Sequence, residues 1–276
     1  MRPRLLGYSL LIALLMAAFL FTVGPVCYMV LSSLKTEMEL LNLSPTLLPR
    51  SWSFNNYWQL FKITPILVGL KNSVITAVLV TVITLVCSSY TAYLLTRLKL
   101  RGLEFISKLL LFCYALPDVI LGIGFYLAFS KAGLLNNYLT LALAQSTITI
   151  PFGIWMLWAY FRQIPVELDE AAAIDGADRC QILWQVIFPL AMPGVGAVAV
   201  FSFVVSWNEY TFANMLSTAD ALKTLPVMMA QLVKAEGAFW GLSLAMAGVS
   251  LIPAATFVFF LLQPLMAGLT AGALKG

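Results

Sequence analysis

The sequence predicts an all-α, polytopic membrane protein with six transmembrane helices. Three observations carry that expectation. Of 276 residues, 61% are hydrophobic and only 10% are charged, whereas soluble domains carry roughly 25% charged residues. Such a chain cannot cover itself with a hydrated surface. Its apolar residues are gathered into runs near the ~20 residues that cross a hydrocarbon core. Polar segments separate those runs, and one of them is crowded with carboxylates.

The first run, about 5–31, follows Arg2 and Arg4. A signal peptide has an apolar core of about 7–15 residues and a small-residue cleavage pattern. This run is longer and lacks that pattern, so it reads as an uncleaved span. The second, 72–95, is rich in Val, Ile and Thr. In water that would suggest a strand. In a bilayer the backbone must satisfy its own hydrogen bonds, which favours helix at this length. The third covers 105–129, the fourth 139–161, the fifth 189–212 and the sixth 240–265. The whole chain, 1–276, reads as a single transmembrane domain.

Lys and Arg near span ends set the orientation. With a cytoplasmic N-terminus, Arg97, Lys99, Arg101 and Lys108 crowd one inner turn, with Arg162 and Arg179 on the same side. The opposite cations, Lys35, Arg50, Lys62, Lys71, Lys131, Lys223 and Lys234, are spread over longer loops. Both termini are therefore expected inside the cell. The chain has no His, which removes the commonest general base and metal ligand. Cys27, Cys87, Cys113 and Cys180 are scattered, without the spacing of a metal site or disulfide framework. No G-x-x-x-x-G-K-[ST] phosphate loop occurs, so any ATP must be bound by another chain. No metal, cofactor or catalytic residue is expected.

The acidic segment, 162–188, lies on the inner side by this placement. Glu167, Asp169 and Glu170 follow Pro165 and sit at the start of a short predicted helix, where the dipole favours negative charge. Ala171, Ala172 and Ala173 continue it, and Gly176 can end it. Asp178 and Gln181 have the spacing of a capping box for a second helix. Ile182, Leu183, Val186 and Ile187 give that helix an apolar face, and Pro189 and Pro193 lead into the fifth span. On pattern alone this is either a docking surface or a solvated link between two spans.

Glu170-Ala171-Ala172, then Gly176, then Val186-Ile187-Phe188-Pro189 resembles the cytoplasmic EAA coupling-helix loop of bacterial ABC importer permeases. Further stretches resemble the carbohydrate-uptake family, in its maltose-permease-G-like branch. They are Ser53-Phe54-Asn55-Asn56-Tyr57, Trp207-Asn208-Glu209-Tyr210, Thr224-Leu225-Pro226-Val227 and the ending from Gly268 to Gly276. The residues from Gln263 to Gly268 depart from the family's basic and aromatic pattern, and this tail reads as flexible.

The resemblance implies a sugar-importing permease of the bacterial inner membrane. It would pair with a second permease, two ATP-binding subunits and an extracytoplasmic binding protein, with ATP held by the partner subunits. Glu170, Ala171, Ala172, Asp175, Gly176 and Pro189 would form the ATPase-coupling element. Outer-loop residues Asp220, Lys223, Lys234 and Glu236 would offer polar contacts to the binding protein. Asp118, Trp207, Asn208 and Glu209 are candidates for the substrate pathway, because polar residues within spans are functional by default. Each has an alternative: Asp118 after Pro117 can mark a kink, and Trp207 can be an interface aromatic. Gln145, Asn72 and Tyr90 are further polar candidates. Import of another solute, such as a glycerol phosphate or polyamine, and an ion-coupled secondary transporter are the competing readings.

Overall fold

The computed structural model describes residues 2–98, 105, 109, 112, 116–234 and 239–273. Side chains are described between Leu11 and Leu261, Lys234 apart. Among the described residues every regular element is helical. The helices are α1 (Arg2–Ser33), α2 (Glu37–Leu40), α3 (Asn55–Ile63), α4 (Ile66–Arg97), α5 (Asp118–Lys131) and α6 (Tyr138–Phe161). They continue with α7 (Glu167–Ile174), α8 (Arg179–Leu190, π-helical over Ile182–Ile187) and α9 (Met192–Asn208). Last come α10 (Thr211–Leu216), a 3-10 turn at Asp220–Leu222, α11 (Leu225–Lys234) and α12 (Trp240–Ala273).

Among the described residues four helices are long and apolar enough to cross a membrane: Leu11–Ser33 of α1, α4, α6 and Trp240–Leu261 of α12. The pair α8 and α9, bent by 87°, makes a fifth when taken as one broken span. Pro189 and Pro193 flank this elbow at Ala191. Pro193 has no N–H to give the carbonyl of Pro189, so the helical ladder is interrupted there.

Several elements differ from the sequence expectation. The third span was expected over 105–129. Phe105, Leu109 and Phe112 are helical, and after a break at Pro117 a helix capped by that proline runs from Asp118 to Lys131. Asp118 thus sits in a first turn rather than mid-helix. Most of 99–115 lies outside the described residues, including Lys99, Arg101, Lys108 and Cys113. In the expected fifth span α9 stops at Asn208, and Phe212 belongs to a separate helix, α10. The 214–239 loop contains α11, started by Pro226 in its first turn, where a missing N–H costs nothing. The tail is helical to Ala273 rather than flexible. Once a helix is running, its glycines cost only about 1 kcal/mol each. Residues 274–276, Glu236 and the Lys234 side chain lie outside the described set.

The chain divides into two compact units, Met1–Leu67 with Met228–Ile252, and Val68–Val227 with Pro253–Gly276. In the first unit, Asn56 donates from Nδ2 to the carbonyls of Ser33 and Lys35, both at 2.8 Å. Tyr57 and Ser33 share a hydroxyl contact of 2.7 Å. Gly241 donates its N–H to Glu37 at 3.1 Å. A Cβ at Gly241 would fall 2.5 Å from Asn56 Oδ1, so only glycine allows this approach. Lys35 is buried, donates to the Thr46 carbonyl and lies 4.8 Å over the Tyr28 ring.

The second unit has an apolar cluster at each end. One gathers Ala92, Tyr93, Leu157, Phe161, Leu183, Ile187 and Val198. The other gathers Leu141, Ala144, Phe212, Ala213, Leu216 and Val227. Between them α4 and α6 meet along a polar seam. Thr84 and Thr149 share a buried hydroxyl contact of 2.5 Å, and Ser88 donates to the Ile150 carbonyl at 3.3 Å. Gly153 permits this seam, because its Cβ would lie 2.5 Å from Ser88 Oγ.

Candidate functional site

The acidic segment folds as a short helix closed by local signals. Glu167, Asp169 and Glu170 occupy the first turn of α7, where unpaired N–H groups favour carboxylates. Gly176 has φ of +89°. Its N–H donates to the Ala173 carbonyl at 3.1 Å, and the Ala177 N–H to the Ala172 carbonyl at 2.9 Å. This is a Schellman closure, which needs a left-handed residue at that point. Two residues on, Asp178 and Gln181 form the expected capping box, with both bonds at 2.8 Å. The chain therefore stops one helix and starts another within four residues.

The exposed side of α7 and its turn carries Glu170, Ala171, Ala173, Ile174, Asp175 and Gly176. Ile174 is 87% exposed. An isoleucine that far into solvent, beside small and acidic residues, has the makings of a protein-docking surface. Ala172 faces the other way and packs against the core cluster at this end. Pro189 lies apart on α8, exposed at the elbow.

Asp169, one residue before the Glu-Ala-Ala run, is buried. Arg97, the last residue of α4, donates from Nε to Asp169 Oδ2 and from Nη2 to Oδ1, both at 2.9 Å. The Tyr93 hydroxyl donates to Asp169 Oδ2 at 3.0 Å. Arg97 Nη2 also donates to the Ile164 carbonyl at 3.2 Å. A fork-on-carboxylate pair with a third donor is among the stronger polar contacts a protein makes. The sequence reading used Asp169 only as a first-turn carboxylate and Arg97 only as an inner cation. A cavity of about 540 Å³ lies beside the pair, lined by Arg97, Asp169, Glu170, Asp178 and Arg179 among others.

The substrate-pathway candidates take different positions. Trp207 is buried and stacks on Phe203 at 5.7 Å. Glu209 is buried and accepts from the backbone N–H groups of Phe212 at 2.7 Å and Ala213 at 3.1 Å. Gln145 donates to Glu209 Oε2, the oxygen that also accepts the Ala213 N–H, at 2.8 Å, and Ser206 donates to Gln145 at 2.5 Å. Glu209 thus caps α10, and its hydrogen-bonding capacity is largely used inside the protein. Asn208 and Asp118 are exposed, and Asp118 is near enough to repel Glu209 electrostatically. Asn72 donates to the carbonyls of Ala221 at 3.0 Å and Lys223 at 2.9 Å, and accepts from Tyr138 at 2.6 Å. Tyr90 accepts from Trp184 Nε1 at 3.0 Å and contacts Cys180 at 3.2 Å. Lys223 pairs with Asp220.

These features define a polytopic helical membrane protein with an exposed, rigidly closed helix between two of its spans. The chain belongs to the binding-protein-dependent transport system inner membrane component family, whose model matches residues 6–268. It is 35% identical over 253 residues to the sulfoquinovosyl glycerol transport system permease protein SmoH of Agrobacterium fabrum. That match covers 91% of this chain and 88% of the relative. It is 37% identical over 209 residues to the trehalose/maltose transport system permease protein MalG of Thermococcus litoralis, covering 75% of each. In fold it is similar to a chain from a bacterial ABC transporter involved in the import of the acidic polysaccharide alginate. The TM-score is 0.77 at 24% identity, over 93% of this chain and 95% of that one.

Proposed function

We propose that this chain is a permease subunit of an ATP-driven importer that moves a sugar or oligosaccharide by alternating access. Its two units act together as one permease domain with six spans, 162–188 as the coupling loop and both termini in the cytoplasm. Its partners are a second permease, two ATP-binding subunits that hold the ATP, and an extracytoplasmic sugar-binding protein. Glu170, Ala171, Ala172, Asp175 and Gly176 form the coupling element, with Pro189 turning the chain into the fifth span. Exposed Asn208 and Asp118 are the residues best placed to meet a passing solute, and Trp207 and Glu209 support them from within.

One observation carries this reading: the apolar-acidic surface of α7 is exposed, small-residued and closed by Gly176. A helix so short is marginal alone. Here the Schellman closure at Gly176 fixes its C-terminal end and keeps the exposed face presented to a partner. The sugar class is supported by the trehalose/maltose and sulfoquinovosyl glycerol permeases among its relatives.

The test is purification of the membrane complex with the ATPase chains that accompany it. Gly176→Asp places a Cβ at a left-handed position, at about 1–2 kcal/mol, and a charge on the docking surface. The variant should reach the membrane, lose its ATPase chains and abolish uptake. Full uptake by Gly176→Asp, or uptake driven by an ion gradient without ATP, would overturn the proposal.

A further inference from the structure

Helix α7 follows α6 in the chain, yet its polar side-chain anchor is to α4. Arg97 and Tyr93 of α4 hold Asp169 by three donated bonds, two of them charge-assisted. The pair is largely buried, so water and salt screen it little. At the other end of the same helix, Asn72 holds the Ala221 and Lys223 carbonyls, and Ser73 Oγ accepts the Leu225 N–H at 2.9 Å. Between these two latches α4 is an unbroken helix. At 1.5 Å per residue it spans about 37 Å.

We propose that Arg97 and Asp169 are positioning residues that pin α7 to α4. Through α4, movement of the docked α7 reaches the 221–225 segment at the far end. This rests on the coupling role of α7 proposed above and adds the route. A helix transmits a push or a twist along its axis with little compliance, because its backbone bonds are all internal. A pin and a latch at opposite ends convert that stiffness into coupling. Removing either should leave docking and ATP hydrolysis in place and disconnect the far end.

The experiment uses the whole importer purified with its ATPase chains in lipid vesicles. Cys27, Cys87, Cys113 and Cys180 are replaced by Ser, and Ala221→Cys supplies one exposed thiol in the 221–225 segment. A membrane-impermeant maleimide reads its labelling rate without nucleotide and with ATP trapped by vanadate. In the parent, trapping should change the rate. In Asp169→Asn and in Asn72→Ala that change should be lost, while the ATPase chains stay bound and hydrolyse ATP. Where Asp169→Asn fails to reach the membrane, Arg97→Lys is read in its place. It keeps the charge but loses the fork, and should reduce the change.

An unchanged response in these variants overturns the proposal. So does a parent whose thiol ignores trapping while its ATPases turn over. Loss of the ATPase chains in Asp169→Asn also overturns it, because the pin would then serve docking alone. A parent complex that purifies without ATPase chains fails differently: it removes the coupling reading itself.

Discussion

Asp169 and Glu209 are buried carboxylates at opposite ends of one unit, and they are satisfied in opposite ways. Asp169 takes a guanidinium and a phenol from another helix. Glu209 takes two backbone N–H groups from the helix it caps and an amide from Gln145. The first joins two elements that are far apart in the chain. The second finishes a local turn and is tied to a neighbour by a neutral contact. A cation matters where separate bodies must stay registered under load. Backbone donors suffice where a helix need only begin.

That contrast is easiest to break by removing function at one end and stability at the other. Gly176→Asp should abolish uptake while lowering stability by no more than the about 1–2 kcal/mol of its left-handed strain. Glu209→Ala should fall mainly on stability. It strands two buried N–H groups and the Gln145 amide, at about 2–4 kcal/mol in total. Glu209→Gln, which keeps an acceptor, should recover much of it. Thermal denaturation in detergent reads both, and equal loss in the two Glu209 variants would show that the cap is not what the carboxylate supplies.

A smaller effect sharpens the comparison through packing. At Gly194 a Cβ would fall 2.5 Å from the Tyr160 ring, and at Gly122 it would fall 2.6 Å from Met215 Sδ. A partly buried ring packed against the core cluster has little room to move, whereas a thioether can re-aim. Gly194→Ala should therefore cost about 1–3 kcal/mol, and Gly122→Ala under about 1 kcal/mol. Equal costs in chemical denaturation would mean that the two ends are equally rigid.

The smallest effect lies in the first unit and serves as a control outside both ends. The Thr46 hydroxyl donates to Glu39 at 2.6 Å, and with the Arg50 N–H it holds the Glu39 carboxyl below its ordinary range. Its contribution is fully present above the unfolded glutamate pKa and is lost as pH falls through the lower folded value. Protease sensitivity of 37–50 should rise only in that acidic window. A rise beginning near neutral pH would rule this anchor out.

Much of the acidic segment was legible because its signals are local. Asp178 and Gln181 are three residues apart, and Gly176 acts on its own turn. The fold class was legible because lipid demands long apolar helices. The Arg97–Asp169 contact was hidden because it joins positions 72 apart, and nothing in either neighbourhood names the other. Trp207 and Glu209 read as substrate-pathway residues from side-chain type alone, but the Trp207 ring stacks on Phe203 and the Glu209 oxygens accept bonds from within the protein. Helix α11 is not announced by its sequence, because Pro226 suits a first helical turn as well as a loop. The π-helical stretch of α8 left no mark that an ordinary amphipathic helix would lack.

The elbow at Ala191 has one more consequence, for the lipid around the protein. It leaves α9 with 17 residues, about 25 Å of helix, against a hydrocarbon thickness of about 30 Å. A span so short is met by local thinning of the bilayer or by snorkelling of its flanking residues. Every change in the angle of that elbow alters how much thinning is needed. A thicker bilayer meets this helix at a greater mismatch, so acyl-chain length acts on the span directly.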